Sequence, residues 1–209
     1  MSTASIRILA SALCLLASSA ALADDPLPRA KPEEVGLSSE RLARIGETLK
    51  ADIDAGRIPG AVIAIARRGK LVALDAYGWR DKQAGVAMTT DTIFNIASMT
   101  KPMTAVGALD AVRAGQAQLG PNIKNLAGYA DPTRADYGFG LGLAVRTTPG
   151  VVKMMGSVGQ FSWPGAHGTY WWADPKEELA VVYLSAAPGP IRWHYRQKIN
   201  ALVYQAIME

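Results

Sequence analysis

Apolar residues recur along this chain at two spacings, and the switches between them outline a fold. Leu42, Ile45, Leu49 and Ile53 fall three to four apart, which sets them on one face of a helix. Ser38 or Ser39 just before them can supply an N-cap oxygen. Gly56 to Gly60, with Pro59 inside it, stops that helix. Two short apolar runs follow, Ala61 to Ala66 and Leu71 to Tyr77, and Arg68-Gly69 between them reads as a hairpin turn. Gly78 to Thr92 is polar and predicts a loop. Ile93 to Ala97 is apolar and strand-like, and from Ser98 to about Ala114 the pattern is helical. Pro102 is tolerated there because first-turn amides have no intrahelical partner. Residues 115–136 contain Gly115, Gly120-Pro121, Gly128 and Pro132 and predict an irregular linker. Strands are predicted at Tyr137 to Arg146, at Val151 to Met155 after the turn Thr147 to Gly150, around Gly168 to Ala173, and at Leu179 to Ser185 after the turn Asp174 to Glu178. Ile191 to Met208 closes the series as an amphipathic helix. The order predicts an α+β fold, an antiparallel sheet flanked by the N- and C-terminal helices.

Ahead of the first helix the pattern is of another kind. Arg7 precedes an apolar or small run from Ile8 to Ala23, ending in Ala21-Leu22-Ala23 and followed by Asp24-Asp25. This predicts a secretory signal over residues 1–23 and a periplasmic or secreted protein. A retained anchor is the other reading, for which the run is short; once the signal is removed, no stable membrane span is expected. Asp24 to Pro32 reads as a tether. Residues 24–209 are then one domain, long enough for a real core. Cys14, the only cysteine, lies in the leader, so that domain has no thiol for a disulfide, a nucleophile or a metal ligand. His167 and His194 are not at ligand spacing, and no metal or other cofactor is expected. The formal net charge is +4, with Arg67-Arg68 the only adjacent basic pair, which points to a solvated surface rather than to nucleic acid.

Ser98-Met99-Thr100-Lys101 is where chemistry enters. Three apart on a helix, the serine and lysine share a face. A serine hydroxyl is a poor nucleophile until a neighbour takes its proton, and a lysine can do so only as a neutral amine. Burial and nearby positive potential, including that of a helix N-terminus, favour the neutral form. The same terminus offers N–H groups to an oxyanion. A capping serine with a solvated lysine one turn on gives the same pattern. Chance predicts about 0.5 such tetrads in a chain of this composition, so the tetrad alone does not decide between the two.

Thr92-Ile93-Phe94-Asn95-Ile96-Ala97-Ser98-Met99-Thr100-Lys101-Pro102-Met103-Thr104 resembles the nucleophile region of the serine β-lactamase-related family. That family embraces class C β-lactamases, D-alanyl-D-alanine carboxypeptidases and β-lactamase-like esterases. Tyr137-Gly138-Phe139-Gly140-Leu141-Gly142 resembles its glycine-rich strand. Trp163-Pro164-Gly165-Ala166-His167-Gly168-Thr169, continuing to Pro175, resembles the edge strand that carries Lys-Thr-Gly, His-x-Gly or Trp-x-Gly. The resemblance implies a β-lactamase/transpeptidase-like fold with a reduced helical region. Ser98 would form the acyl-enzyme and Lys101 would activate it. The N–H groups of Ser98 and Ala166 would form the oxyanion hole, and Trp163 and Gly165 would line the cleft. Trp163 stands where β-lactamases place a cation, and an indole cannot supply that charge. Carboxylic esters are therefore the expected small-molecule substrates, ahead of β-lactams and D-alanyl peptides.

One element of the family is missing. The sequence has no Tyr-x-Asn or Ser-x-Asn tripeptide, and the region that would carry it is contracted to about residues 119–136. Tyr129, in Tyr129-Ala130-Asp131, is the nearest proton shuttle, although a surface-turn tyrosine fits that setting better. His167 is the alternative shuttle and a substrate-side residue; a solvent-facing histidine is the plainer reading. The contraction would bare apolar surface on the sheet and nucleophile helix. Lower stability, a homodimer that covers the surface, or a family member that binds cell-wall fragments without turnover all follow from that.

Overall fold

The computed structural model describes residues 27–113, 137–140, 142–149, 154–187 and 189–208. Residues 1–23, the linker 115–136 with Tyr129, and Val151 to Lys153 lie outside them. Helix α1 is Ser39–Asp54, α2 is Thr100–Arg113 and α3 is Ile191–Tyr204. The strands are β1 (Gly60–Arg67), β2 (Lys70–Asp81), β3 (Val86–Ala87), β4 (Tyr137–Gly140), β5 (Leu143–Arg146), β6 (Phe161–Pro164), β7 (Tyr170–Asp174) and β8 (Leu179–Ser185). They form one antiparallel sheet in the order β3-β2-β1-β8-β7-β6-β5-β4. The chain thus builds one end of the sheet, crosses through Ser98 and α2, and builds the other end before closing at the β1–β8 seam.

Local chemistry accounts for the framework. Ser38 Oγ accepts from the Arg41 N–H at 3.2 Å and caps α1, whose Leu42, Ile45, Leu49 and Ile53 are all buried. Arg68 and Gly69 both take positive φ, the twist that a two-residue hairpin needs between Arg67 and Lys70. Strand β8 alternates strictly, with Leu179, Val181, Tyr183 and Ser185 buried and Ala180 and Val182 outward. α1 and α3 pack on each other and on the face carrying Ile63, Ile65, Trp172 and Tyr183. Trp172 stacks on Tyr170 at 5.4 Å, and Tyr183 on Tyr195 at 6.3 Å.

Several expectations need correction. The expected loop 78–92 contains the end of β2 and all of β3, because Trp79 and Asp81 find partners in Ala87 and Val86. The expected tether pairs with β2 instead: Ala30 N–H donates to Leu71 O at 3.1 Å and Leu71 N–H to Pro28 O at 2.9 Å. Ile93 to Ile96 is outside the sheet, and Ile93 is 96% exposed. The single strand Tyr137 to Arg146 is a hairpin, β4–β5, turned at Gly142 with φ 79°. Met154 and Met155 are not in a strand; Asn200 instead clamps Met155 through its N–H and C=O at 2.8 and 3.1 Å. The final helix stops at Tyr204, and Ile207 bridges to Leu37.

Asp52 is buried between α1 and α3, where Arg57 Nε donates to it at 2.9 Å and Lys198 Nζ at 3.1 Å. Burial works to raise its carboxyl, but the bonds from Arg57 and Lys198 outweigh that and hold it below the usual carboxylate range. A depressed folded-state pKa adds stability above the unfolded value, about pH 4, and that stability drains away as pH falls. Asp52→Asn is therefore expected to destabilise the protein at neutral pH, with the gap to the parent closing in acid. Urea unfolding across the acid range checks this; a gap independent of pH would contradict it.

Candidate active site

The turn that carries Ser98 is built before α2 rather than inside it. Ala97 takes φ 45°, outside the range a residue with a Cβ prefers, and a 3₁₀ turn over Ala97–Met99 follows. Asn95 Oδ1 accepts from the Ala97 N–H at 3.1 Å, Ile96 O accepts from the Met99 N–H at 3.0 Å, and Met99 anchors the turn in the interior. Thr100 then starts α2, and Pro102 is buried in its first turn. This arrangement raises Ser98 at the head of a helix. Lys101 Nζ lies 2.7 Å from Ser98 Oγ. A neutral amine at that distance is within reach of the hydroxyl proton. Lys101 is exposed, so the burial invoked in reading the sequence is absent.

The facing wall is the turn between β6 and β7. Gly165 N–H donates to Thr169 O at 2.8 Å, and Thr169 Oγ1 donates to Ile96 O at 3.4 Å, which ties the turn to the segment leading into Ser98. A Cβ on Gly165 would sit 2.5 Å from Ile96 O, so only glycine lets the two backbones approach this closely. Gly168, at φ 105°, lies equally close to the Ala187 backbone. β6 is not an edge strand, as the resemblance had implied: β5 and β4 continue the sheet beyond it. Gly142, at the β4–β5 turn, abuts Ala105 of α2.

Ser98, Trp163, Gly165 and Ala166 line one cleft of about 240 Å³. A wider depression of about 620 Å³ runs from Ser98 along Lys101, Thr104 and Ala105. The N–H groups of Ser98 and Ala166 have no acceptor among the described residues. His167 is exposed and is not among the lining residues; its carbonyl accepts from the Ala187 N–H at 2.8 Å. Met103 and Val106 of α2 are exposed, 58% and 66%.

Reading the sequence missed Arg192, Trp193 and Arg196, which line the cleft from the first turns of α3. Arg196 is buried, lies against Tyr170 and Trp193 at 5.6 and 5.2 Å, and donates from Nη2 to Gly165 O at 2.8 Å. Arg192 Nη1 donates to Ala166 O at 3.0 Å. The available signal was their separation of four on a helix, which puts both on one face.

Comparison with known proteins bears on the family and the fold. The family model described as Beta-lactamase matches residues 45–131 and 116–205. Protein Rv1367c of Mycobacterium tuberculosis is 47% identical over 66 residues, 32% of this chain and 16% of that protein. Esterase EstB of Burkholderia gladioli is 36% identical over 77 residues, 37% of this chain and 20% of that protein. The match thus spans a fifth or less of these curated relatives. Among solved structures, EstCE1, described as a hydrolase with promiscuous acyltransferase activity, aligns with a TM-score of 0.67 at 13% identity, covering 79% of this chain and 99% of that one. At that identity the likeness concerns the fold.

Proposed function

The chain belongs to the Beta-lactamase family, and on that premise we propose that it is a serine hydrolase that forms an acyl-enzyme on Ser98, with carboxylic esters as its substrates. The observation that carries the proposal is the 2.7 Å contact between Lys101 Nζ and Ser98 Oγ at the head of α2. Neutral Lys101 takes the serine proton as Oγ attacks the acyl carbon. The ester's carbonyl oxygen becomes an oxyanion held by the Ser98 and Ala166 N–H groups, and its collapse re-forms the C=O bond. The C–O bond to the alcohol breaks, the alcohol leaves with the proton from Lys101, and water later frees the acid.

Trp163 in the cleft and the similarity to Esterase EstB support an ester over a β-lactam. Export through residues 1–23 would direct such a hydrolase to periplasmic or extracellular esters. The exposed apolar side chains of α2 make a homodimer the assembly to look for. A second reading, acylation or ligand binding without turnover, is favoured by the exposure of Lys101 and by the missing Tyr-x-Asn element. The test is rapid-mixing hydrolysis of p-nitrophenyl butyrate, beside the chromogenic β-lactam nitrocefin. An ester burst of about one equivalent followed by steady turnover is expected. A burst with no steady phase supports the second reading, turnover of nitrocefin alone reverses the substrate assignment, and no burst or turnover of either rejects the hydrolase.

A further inference from the structure

We propose that Arg192 and Arg196 are positioning residues that fix the oxyanion donor at Ala166, an inference that rests on the acyl-enzyme reading above. The Ala166 N–H belongs to the same planar trans peptide as the Gly165 carbonyl, so the two point in opposite directions. Whatever holds Gly165 O therefore aims the Ala166 N–H. Gly165 O accepts from Arg196 Nη2 at 2.8 Å and, more weakly, from the Gly168 N–H at 3.4 Å. The next carbonyl, Ala166 O, accepts from Arg192 Nη1 at 3.0 Å. Two successive peptide planes are thus held from α3, and the N–H between their carbonyls is directed away from Arg196, in a segment that lines the cleft of Ser98.

The clamp is stiff for reasons independent of the reaction. Arg196 is 4% exposed and lies against Tyr170 and Trp193, so its guanidinium has little freedom to move. Gly165 cannot supply that stiffness, since it carries no side chain and tolerates many backbone conformations. Ala166 is exposed, so burial does not hold it. A charged donor also makes a stronger bond to a carbonyl than a neutral one does. α3 therefore reaches the chemistry through two backbone carbonyls.

The experiment compares the parent with Arg192→Gln, Arg192→Lys and Arg196→Lys. It measures kcat and KM for p-nitrophenyl butyrate, affinity for phenylboronic acid as a tetrahedral anion mimic, and thermal midpoints. Arg192→Gln, at a half-buried position, is expected to keep the parent midpoint, lose about 10-fold to 100-fold in kcat with KM little changed, and bind the boronic acid correspondingly less well. Arg192→Lys is expected to recover part of that loss. Should Arg196→Lys fail to fold, the two Arg192 variants decide alone. A parent kcat in Arg192→Gln, or a loss confined to KM, overturns the clamp while leaving the hydrolase standing. A parent without burst or turnover removes both.

Discussion

A Ser98→Ala chain is expected to lose turnover by about 10⁴-fold or more and to take up no fluorophosphonate, while the parent gains one adduct by intact mass. The reason is positional. Ser98 is the hydroxyl that Lys101 contacts, at 2.7 Å, and it stands at the head of α2 beside Ala166. The alanine removes only an oxygen at a half-buried site, so folding should be unaffected. Lys101→Met keeps the stem and deletes the amine, and is expected to cost about 10²-fold to 10⁴-fold in acylation rate, the range of a positioned base. An adduct of equal stoichiometry on Ser98→Ala would place the reactive hydroxyl elsewhere and end the assignment.

The second large effect is expected at a residue with no functional group. Gly165→Ala would set a Cβ 2.0 Å from Thr169 Oγ1 and 2.5 Å from Ile96 O. The threonine can rotate, but the Ile96 carbonyl belongs to the turn that raises Ser98. One of the two walls must yield by roughly an ångström, and displacement of that size in an active site costs on the order of 10²-fold in kcat. Kinetics of Gly165→Ala beside Gly165→Ala/Thr169→Ala separate the two contacts. If removing the threonine restores the parent rate, the clash with Ile96 is not what limits the site.

The parts of the fold with local causes could be read from the sequence. α1 follows from four apolar residues and a capping serine, and the β1–β2 hairpin from Arg68-Gly69. The Ser98–Lys101 contact could be read from the spacing of three, although Ser98 stands in the 3₁₀ turn ahead of α2. What could not be read depends on partners far along the chain. Arg192 and Arg196 find their carbonyls 26 and 31 residues upstream. Asp52 is polar and buried because Lys198 lies 146 residues away, and no periodicity announces such a pair. Tyr137 to Arg146 alternates well enough for one strand; only the positive φ at Gly142 breaks it in two. Ile93 to Ala97 looks like a strand by composition but serves as the approach to the turn that carries Ser98. Tyr129 lies outside the described residues, so the structure does not place it.

The seam between β1 and β8 also governs the order in which this protein can assemble. Gly60–Arg67 pairs with β2 on one side and finds its second neighbour in Leu179–Ser185, far along the chain, as α1 finds its partner helix in α3. Closing so long a loop before its contacts form makes for slow, late-committing folding. A nascent chain that has emerged through β3 holds a hairpin and a helix with no second helix to cover them, and Ser98 has no facing wall until the β6–β7 turn and α3 arrive. The proposed site is therefore assembled all at once near the end of folding, so that partly folded chains carry Ser98 without the groups that face it.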